Sequence, residues 1–357
     1  MKTIAEIQQE AGGILLESPG FSQVSHFGNA GEEYHALRNS CGLSDGAGWS
    51  VIDVTGPEAH AFLHRLVSNE VASLQAGLGN HQLVLTPKGK IITDFWLLQH
   101  ADWSRLVCPR EGADALWEFL DRYLIMEEVT LNDRRDSLGV LMVHGPGSAC
   151  TLGSHADGAL PEQTGQHSET AIAGQNAMVA RLSVNQGLGF FLISEEDQLA
   201  AIWQTLVQAG TKPVGEEALE CTRIEDGAPR LGRELSEAII PQEARLYDAI
   251  SFHKGCYIGQ ETVARLEYRG HANKELTRFR LLTGDAPRSE ISLHKDEKTV
   301  GQITSAAYSY REEAWLGLGY LRIKHKEAGN HITAQAADGS TFEAEVCPDP
   351  ETPSQPV

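Results

Sequence analysis

The stretch that organises this sequence is SFHKGCYIGQETVAR, residues 251–265. Its first residues, Ser251 and Phe252, have strand character, and Lys254-Gly255 is a turn signal. The residues from Gln260 to Glu267 are good helix formers without a breaker. The sequence therefore predicts a strand, a tight glycine turn and the start of a helix.

Cys256 lies in this predicted turn. Backbone N–H groups and a helix dipole favour an anion at such a position by a few tenths to about 1 kcal/mol. Lys254 and His253, two and three residues before the cysteine, are neighbours of the kind that raise the thiolate fraction. The pattern favours a reactive thiol. In the plainer alternative, Cys256 is a small buried hydrophobic residue and Glu261 only complements the helix N-terminus.

The composition indicates a globular protein with an acidic surface. The chain has 357 residues, of which 41% are hydrophobic, enough for a sizeable core and two or three domains. Its 49 acidic and 29 basic side chains give a formal charge of -20, which repels nucleic acid and anionic lipid. Because no run of Lys or Arg offsets this charge, we expect neither nucleic acid nor a membrane as a partner.

The N-terminal sequence indicates the location of the protein, and the cysteine spacing bears on disulfides and metal sites. The start, MKTIAEIQQEAGGILLES, holds only a short apolar run, so we expect a cytoplasmic protein. The six cysteines form no C-x-x-C pair, and their spacing indicates neither a disulfide framework nor a metal or cluster site. His60 and His64 stand at i and i+4, but no third ligand is evident nearby, and we predict no metal site.

A carboxylate interrupts an apolar hairpin. Residues 81–86 and 91–98 read as two strands joined by the turn Pro87-Lys88-Gly89-Lys90. Alternation along the second strand predicts one face with Ile92, Asp94 and Trp96 and another with Thr93, Phe95 and Leu97. A buried carboxylate must be paired, hydrogen-bonded or shifted in pKa, which makes Asp94 a candidate functional residue. The alternative is a solvated edge strand.

Helices and strands alternate in an α+β pattern. The strand at 138–143 with its Gly145-Pro146 repeats the earlier pattern of Val54 to Pro57, so a second unit is expected to begin near residue 138. Near the C-terminus, five short strand-like runs predict a small antiparallel β-barrel: 276–282, 299–305, 314–320, 331–336 and 342–346. The proline-rich end, 348–357, is predicted to be a disordered tail.

Taken whole, the string K-G-C-Y-x-G-Q-E, followed by V-A-R and Tyr268-Arg269-Gly270, resembles the signature of the YgfZ family. These are tetrahydrofolate-binding proteins of iron–sulfur cluster assembly and repair, related to the aminomethyltransferase (T protein) of the glycine cleavage system. The resemblance implies two interleaved ferredoxin-like units around a central folate channel over residues 1–271, a barrel over 272–347 and a tail over 348–357.

The resemblance also implies roles for individual residues. Asp94 matches the second acid of the aminomethyltransferase G-G-x-x-D-D segment, which is implicated in catalysis and folate contact, and Arg223 matches the arginine of R-[IL]-E. A pterin offers adjacent N–H donors to a carboxylate, and its glutamate tail requires a cation. The predicted catalytic set is Cys256, Lys254 and Asp94, and the predicted folate-binding set is Asp94, Arg223, Tyr257, Gln260, Glu261, Trp96 and Gln186. Phe190 is a further aromatic available to a flat ring.

The sequence departs from the aminomethyltransferases at one position expected to hold the pterin. The segment G-E-D-G-F-E-L of those enzymes is Gln186 to Leu192 here, so their glutamate is replaced by Gly187. Loss of a buried charged hydrogen bond costs roughly 1.5 to 3 kcal/mol, or one to two powers of ten in affinity. We expect the ligand to be held differently, through Gln186, or weakly.

Three functions remain open from the sequence. The first is a tetrahydrofolate-dependent factor that assists iron–sulfur enzymes or assembly proteins, with Cys256 as a reactive or partner-facing thiol. The second is an aminomethyltransferase or demethylase that transfers a one-carbon unit to tetrahydrofolate. The third is a non-catalytic interaction protein in which Cys256 only packs.

Overall fold

A computed structural model describes residues 3–18, 20–182, 189–284 and 291–349. The helices are α1 (Ile4–Glu10), α2 (Ala30–Asn39), α3 (Ala59–Leu66), α4 (Ala113–Tyr123), α5 (Ser148–Gly153), α6 (Glu196–Gln208), α7 (Glu216–Asp226) and α8 (Gln260–Arg269). The strands of the body are β1 (Ile14–Ser18), β2 (Phe21–His26), β3 (Gly42–Asp45), β4 (Trp49–Thr55), β5 (Gly79–Leu85), β6 (Ile91–Gln99), β7 (Trp103–Pro109), β8 (Thr130–Asp133), β9 (Leu138–His144), β10 (His167–Ile172), β11 (Gln175–Leu182), β12 (Gly189–Glu195) and β13 (Lys212–Pro213). The barrel has β14 (Lys274–Leu282), β15 (Ile291–Lys295), β16 (Lys298–Ser309), β17 (Ala314–Arg322), β18 (His331–Ala336) and β19 (Thr341–Val346).

The body consists of two sheets packed face to face. One sheet has the strand order β5-β6-β7-β4-β8 and the other β10-β11-β12-β9-β3-β13. Trp96 and Val107 of the first sheet meet Met142 and Phe191 of the second in one hydrophobic cluster. Alternation along each strand leaves a second apolar face on each sheet, which needs a cover of its own.

Helices cover both outer faces. On the five-stranded sheet, α3 and α4 bury Phe62 and Leu116, and on the six-stranded sheet α1 and α6 bury Ile7 and Trp203. The layers are therefore helix, sheet, sheet, helix. The chain passes between the two sheets, because β3 belongs to the six-stranded sheet and β4 to the five-stranded one. The α+β fold class implied by the sequence is confirmed.

The two Gly-Pro turns noted in the sequence follow β4 and β9 and share one backbone requirement. Gly56 has φ +117° and Gly145 has φ +97°, both in the region that favours glycine. A Cβ on Gly56 would lie 2.1 Å from the carbonyl oxygen of Glu128, and one on Gly145 would lie 2.7 Å from that of Ser40. Each glycine thus lets a strand turn sharply into its helix.

The C-terminal barrel is closed and has six strands rather than the five predicted, in the order β14-β17-β16-β15-β18-β19. The missed strand, β15, is only five residues long and half polar, so its apolar signal is weak. Residues 350–357 of the predicted tail lie outside the described residues. Within the described part of the chain, no helix is long and apolar enough to span a bilayer.

A buried carboxylate on α7 joins the barrel to the body. Glu225 accepts hydrogen bonds from the Tyr34 hydroxyl at 2.9 Å and from Arg38 at 2.8 Å, both on α2. The hydroxyl of Ser309, on β16 of the barrel, donates to the same carboxylate. Because a buried carboxylate is stable only when its oxygens are satisfied, these three contacts fix the barrel against α2 and α7.

Candidate functional site

Asp94 lies on β6, on the sheet face that points toward the second sheet. One of its oxygens, Oδ2, is 2.9 Å from Nε2 of His81, and the Asp94 side chain is 16% exposed. The other oxygen, Oδ1, is buried and has no hydrogen-bond partner. A native buried acceptor is normally satisfied, so this oxygen is available to a donor from water or a ligand. The alternative of a solvated edge strand is wrong, because β6 lies between β5 and β7.

The predicted alternation along β6 holds for most of the strand. Trp96 points into the cluster between the sheets, whereas Phe95 and Leu97 pack under α3 and α4. Ile92 was predicted to lie on the face of Asp94, but it packs with Phe95 and Leu97 on the other face. The reason is a β-bulge: the register shifts between Val84 and Leu85, which leaves Ile92 as the extra residue of β6.

His81 is held between Asp94 and Trp96. Its ring stacks on the indole of Trp96, with centroids 5.4 Å apart and planes 19° apart. In the β5–β6 hairpin, His81 lies directly opposite Trp96, and Asp94 is the diagonal neighbour. Trp96 itself is 8% exposed. Its role as a pterin-packing residue stays a prediction, and the structure shows that it stacks on a histidine.

The signature segment differs from its prediction at its start and agrees at its end. Ser251 and Phe252 form no strand, but hydrogen bonds fix this part of the chain, since the Ser251 amide donates to the Ser68 carbonyl at 3.0 Å. Helix α8 begins at Gln260, as predicted. That start is four residues beyond Cys256, and stabilisation of the thiolate by the helix N-terminus stays a prediction.

Cys256 is exposed, which excludes the alternative of a buried packing residue. Lys254, two residues earlier, is 8% exposed, and its ammonium donates to the carbonyls of Val67 at 2.8 Å and Asn69 at 2.7 Å. Burial lowers the pKa of Lys254 to about 8, and the charge of Glu70 opposes this change. Lys254 thus secures the loop, and activation of the thiol by Lys254 stays a prediction.

The segment that follows Cys256 is packed against the hairpin that carries Asp94. Tyr257 is buried in one cluster with Leu83 and Leu85 of β5, and burial raises its pKa to about 12. Gly259 has φ +85°, and a Cβ there would lie 2.7 Å from the Thr86 carbonyl oxygen in the hairpin turn. The signature glycine is therefore required for close contact between the loop and the hairpin.

Asn69 connects the two parts of the site. Its side-chain amide donates to the His81 carbonyl at 3.1 Å and to the Asp248 carbonyl at 2.8 Å. Its own carbonyl accepts the hydrogen bond from Lys254. A continuous set of hydrogen bonds thus runs from Lys254 through Asn69 and His81 to Asp94.

Arg223 is occupied by protein groups. It forms a two-pronged ion pair with Glu220, at 2.7 and 2.6 Å, and bonds to Glu234 at 2.8 Å and to the Ala228 carbonyl at 2.6 Å. Glu234 in turn accepts from Ser305 of the barrel at 2.6 Å. Contact between Arg223 and a folate tail stays a prediction, and a tail would have to share this guanidinium with two carboxylates.

The other predicted residues are dispersed. Gln260 is half-buried and Glu261 exposed in the first turn of α8, and Gln186 lies outside the described residues. Phe190 packs toward α1 and α6, away from the cluster that contains Trp96. His60 and His64 have different partners, Gln99 and Glu70. Among the described residues, no group of three or more His, Cys, Asp or Glu side chains has an arrangement that could hold a metal ion.

Sequence reasoning missed His81 and Asn69. Counting the register outward from the Thr86–Lys90 turn without a bulge pairs Gln82 with Asp94 and puts His81 on the other face, so the contact between His81 and Asp94 could not be found in this way. Asn69 also has no signal in the sequence, because it lies in the connection after α3 and reaches its partners only in the folded chain.

The fold defines a class of protein: a helix-covered pair of sheets with a C-terminal barrel. The crystal structure of the glycine cleavage system aminomethyltransferase T from Bartonella henselae superposes with a TM-score of 0.87 over 97% of this chain and 96% of that chain, at 20% identity. At this identity, the similarity establishes the fold.

Sequence profiles identify the family. Residues 4–254 match the GCVT N-terminal domain, and residues 274–351 match the glycine cleavage T-protein C-terminal barrel domain. This chain belongs to the glycine cleavage T-protein family, whose members generally bind tetrahydrofolate.

Curated relatives carry related names. A chloroplastic protein of Arabidopsis thaliana, named as a candidate transferase, is 29% identical over 87% of this chain and 72% of its own length. The aminomethyltransferase of Natranaerobius thermophilus is 27% identical over 92% of this chain and 91% of its own length.

Proposed function

We propose that this protein is a tetrahydrofolate-binding factor of the YgfZ branch that assists the assembly or repair of iron–sulfur clusters in client enzymes. Two features support the branch: the K-G-C-Y-x-G-Q-E string, and the absence of that string from the aminomethyltransferase signature. The observation that carries the proposal is the exposed Cys256 on a loop fastened to the hairpin of Asp94. A thiol in that position is accessible to a partner while folate occupies the neighbouring interior.

Asp94 supports the folate part of the proposal. Its Oδ1 is a buried acceptor without a partner, and a reduced pterin supplies the N–H donors that such an oxygen requires. A charged acceptor makes roughly twice as strong a hydrogen bond as a neutral one. Titration of the purified protein with tetrahydrofolate by calorimetry tests this part, and absence of heat at micromolar to millimolar ligand would refute it.

The thiol part is tested separately in cells. A strain that lacks this protein is complemented with the wild type, Cys256→Ala or Cys150→Ala, and the activity of iron–sulfur enzymes is measured. Cys150 is the matched control because it is also an exposed cysteine but lies on α5. We expect loss of activity with Cys256→Ala only. Equal complementation by all three would refute a role for the thiol.

A second candidate function is transfer of a one-carbon unit to tetrahydrofolate. The observation that favours it is the similarity to aminomethyltransferases over about nine-tenths of the chain. In this function, Asp94 orients the accepting nitrogen of the folate. Formation of methylene-tetrahydrofolate from a lipoyl-bound aminomethyl donor, or from a methylamine with an added two-electron oxidant, would establish it, and the cluster-repair function requires no such turnover.

A further inference from the structure

We propose that His81 is the positioning residue that sets the Asp94 carboxylate for its ligand. This inference rests on the proposed folate site and assigns a role to a side chain that the family signature does not single out. The structure suggests that His81 holds one oxygen of Asp94, so that the other is presented to the ligand in a fixed orientation.

The hydrogen bond between the two residues has a defined direction. An ionised carboxylate is only an acceptor, so Nε2 of His81 carries the proton and donates it to Oδ2 over 2.9 Å. The His81 and Asp94 side chains are 20% and 16% exposed, so water competes little for this contact. Rotation of the carboxylate about its last bond would break the contact, and His81 therefore fixes where Oδ1 points.

His81 is itself held at two levels. Its ring stacks on Trp96, which belongs to the core between the sheets. Its backbone carbonyl accepts from the side-chain amide of Asn69. The backbone N–H of Asn69 donates to the side chain of Gln82, the next residue along the strand, at 2.8 Å. A histidine fixed at ring and backbone is pre-organised, so the ordering of Asp94 is complete before a ligand arrives.

The two oxygens of Asp94 differ in what they offer a ligand. Oδ2 already accepts from His81, whereas Oδ1 has no partner. The ligand therefore makes its main contact with Oδ1. A ligand without an N–H donor at that point leaves Oδ1 unsatisfied and binds more weakly.

The test is a double-mutant cycle on tetrahydrofolate affinity in the full-length protein. His81→Phe keeps a ring that can stack on Trp96 but removes the donor, and we expect the Kd to rise about tenfold. His81→Gln returns a side-chain N–H and is expected to recover most of the affinity. In an Asp94→Ala background, His81→Phe should change the Kd less than about twofold, because a positioning residue acts through the group it positions.

The matched control is His100→Phe. His100 also stacks on a tryptophan, Trp103, with centroids 3.7 Å apart, but forms no ion pair with a carboxylate among the described residues. We expect its tetrahydrofolate affinity to equal that of the wild type. This control separates the loss of the hydrogen bond from the loss of any stacked histidine.

The outcomes separate this inference from the proposed function. If the wild type binds tetrahydrofolate and His81→Phe binds equally well, the inference is wrong and the folate site stands. If His81→Phe weakens binding to the same extent with and without Asp94, the role is structural and the inference is also wrong. If the wild type binds no tetrahydrofolate, both the proposed folate site and the role of His81 are wrong. Should His81→Phe not fold, His81→Gln against His81→Ala gives the same comparison.

Discussion

Lys254 donates a 2.7 Å hydrogen bond to the backbone carbonyl of Asn69, whose side chain donates to the carbonyl of His81. The signature loop is thereby joined to β5, the strand paired with the one that carries Asp94. The chain thus builds two chemically different features side by side, an exposed thiol and a buried carboxylate with a free oxygen. The position of the thiol relative to the carboxylate is fixed, because backbone and side-chain hydrogen bonds hold the loop between them. A substitution that loosens this loop should therefore leave the two sheets folded.

Lys254→Met tests the loop. The change removes two hydrogen bonds from a charged donor to the carbonyls of Val67 and Asn69, so the free energy of unfolding should fall by about 1 to 3 kcal/mol. The thiol of Cys256 should also react with a bulky disulfide reagent at a changed rate. Chemical denaturation and thiol-labelling kinetics measure these effects. Unchanged stability and unchanged labelling would show that Lys254 does not secure the loop.

Gly259→Ala and Gly255→Ala form a matched pair in the same segment. Gly259 has φ +85°, and a Cβ there meets the Thr86 carbonyl oxygen at 2.7 Å, whereas a Cβ on Gly255 meets nothing within 4 Å. Alanine at 259 should lower the free energy of unfolding by about 1 to 3 kcal/mol, and alanine at 255 by less than about 1 kcal/mol. Urea denaturation of both variants checks this order, and a larger loss at 255 would contradict the described packing.

Substitution of Arg223 should lower the stability of the fold, whether or not this residue binds a ligand. Arg223→Leu leaves Glu234 buried without its cation, and breaking a buried pair in this way costs about 3 to 5 kcal/mol. The exposed Arg233 gives the control, since Arg233→Leu should cost less than about 1 kcal/mol. Thermal unfolding of the two variants checks the prediction. Equal stability would mean that Arg223 is free to serve a ligand instead.

Asp45 should make stability depend on pH. Burial raises the pKa of its carboxyl to about 6, above the ordinary value of 3.8, and Gln8 opposes the rise. Between these values the folded protein holds a proton that the unfolded chain has lost, so stability from this group is present below pH 3.8 and is lost as pH rises to 6.

The variant Asp45→Asn isolates this effect. The free energy of unfolding of the wild type relative to Asp45→Asn should decline by up to about 3 kcal/mol between pH 4 and 6. Histidines that titrate in the same range, such as the half-buried His144, are common to both proteins and cancel in the difference. The exposed Asp102→Asn should show no such decline. A flat difference for Asp45→Asn would refute the raised pKa of this carboxyl.

Local patterns in the sequence predicted much of the fold. The β5–β6 hairpin follows from two strand-like runs around a Pro-Lys-Gly-Lys turn, and helix α8 follows from a run of good helix formers without a breaker. Strand β15 did not, because a short, half-polar strand is stabilised by its neighbours in the barrel. The bulge at Ile92 was not predicted either, since a register shift arises from pairing and has no signature in one strand.

The site was predictable only in part for the same reason. Asp94 and Cys256 stand out in the sequence, one as a carboxylate among apolar residues and the other within a long motif. The saturation of Arg223 by Glu220 and Glu234, and the contacts of His81 and Asn69, depend on residues distant in sequence. Such partners become visible only when the strands are paired.

The central claim is that Asp94 accepts a hydrogen bond from a reduced folate, and the most direct test compares the tetrahydrofolate affinity of the wild type with that of Asp94→Asn. The substitution keeps the shape of the side chain and removes its charge. We expect the Kd to rise by about 10- to 100-fold, the equivalent of roughly 1.5 to 3 kcal/mol for a hydrogen bond to a charged group. Equal affinities of the two proteins would contradict the account.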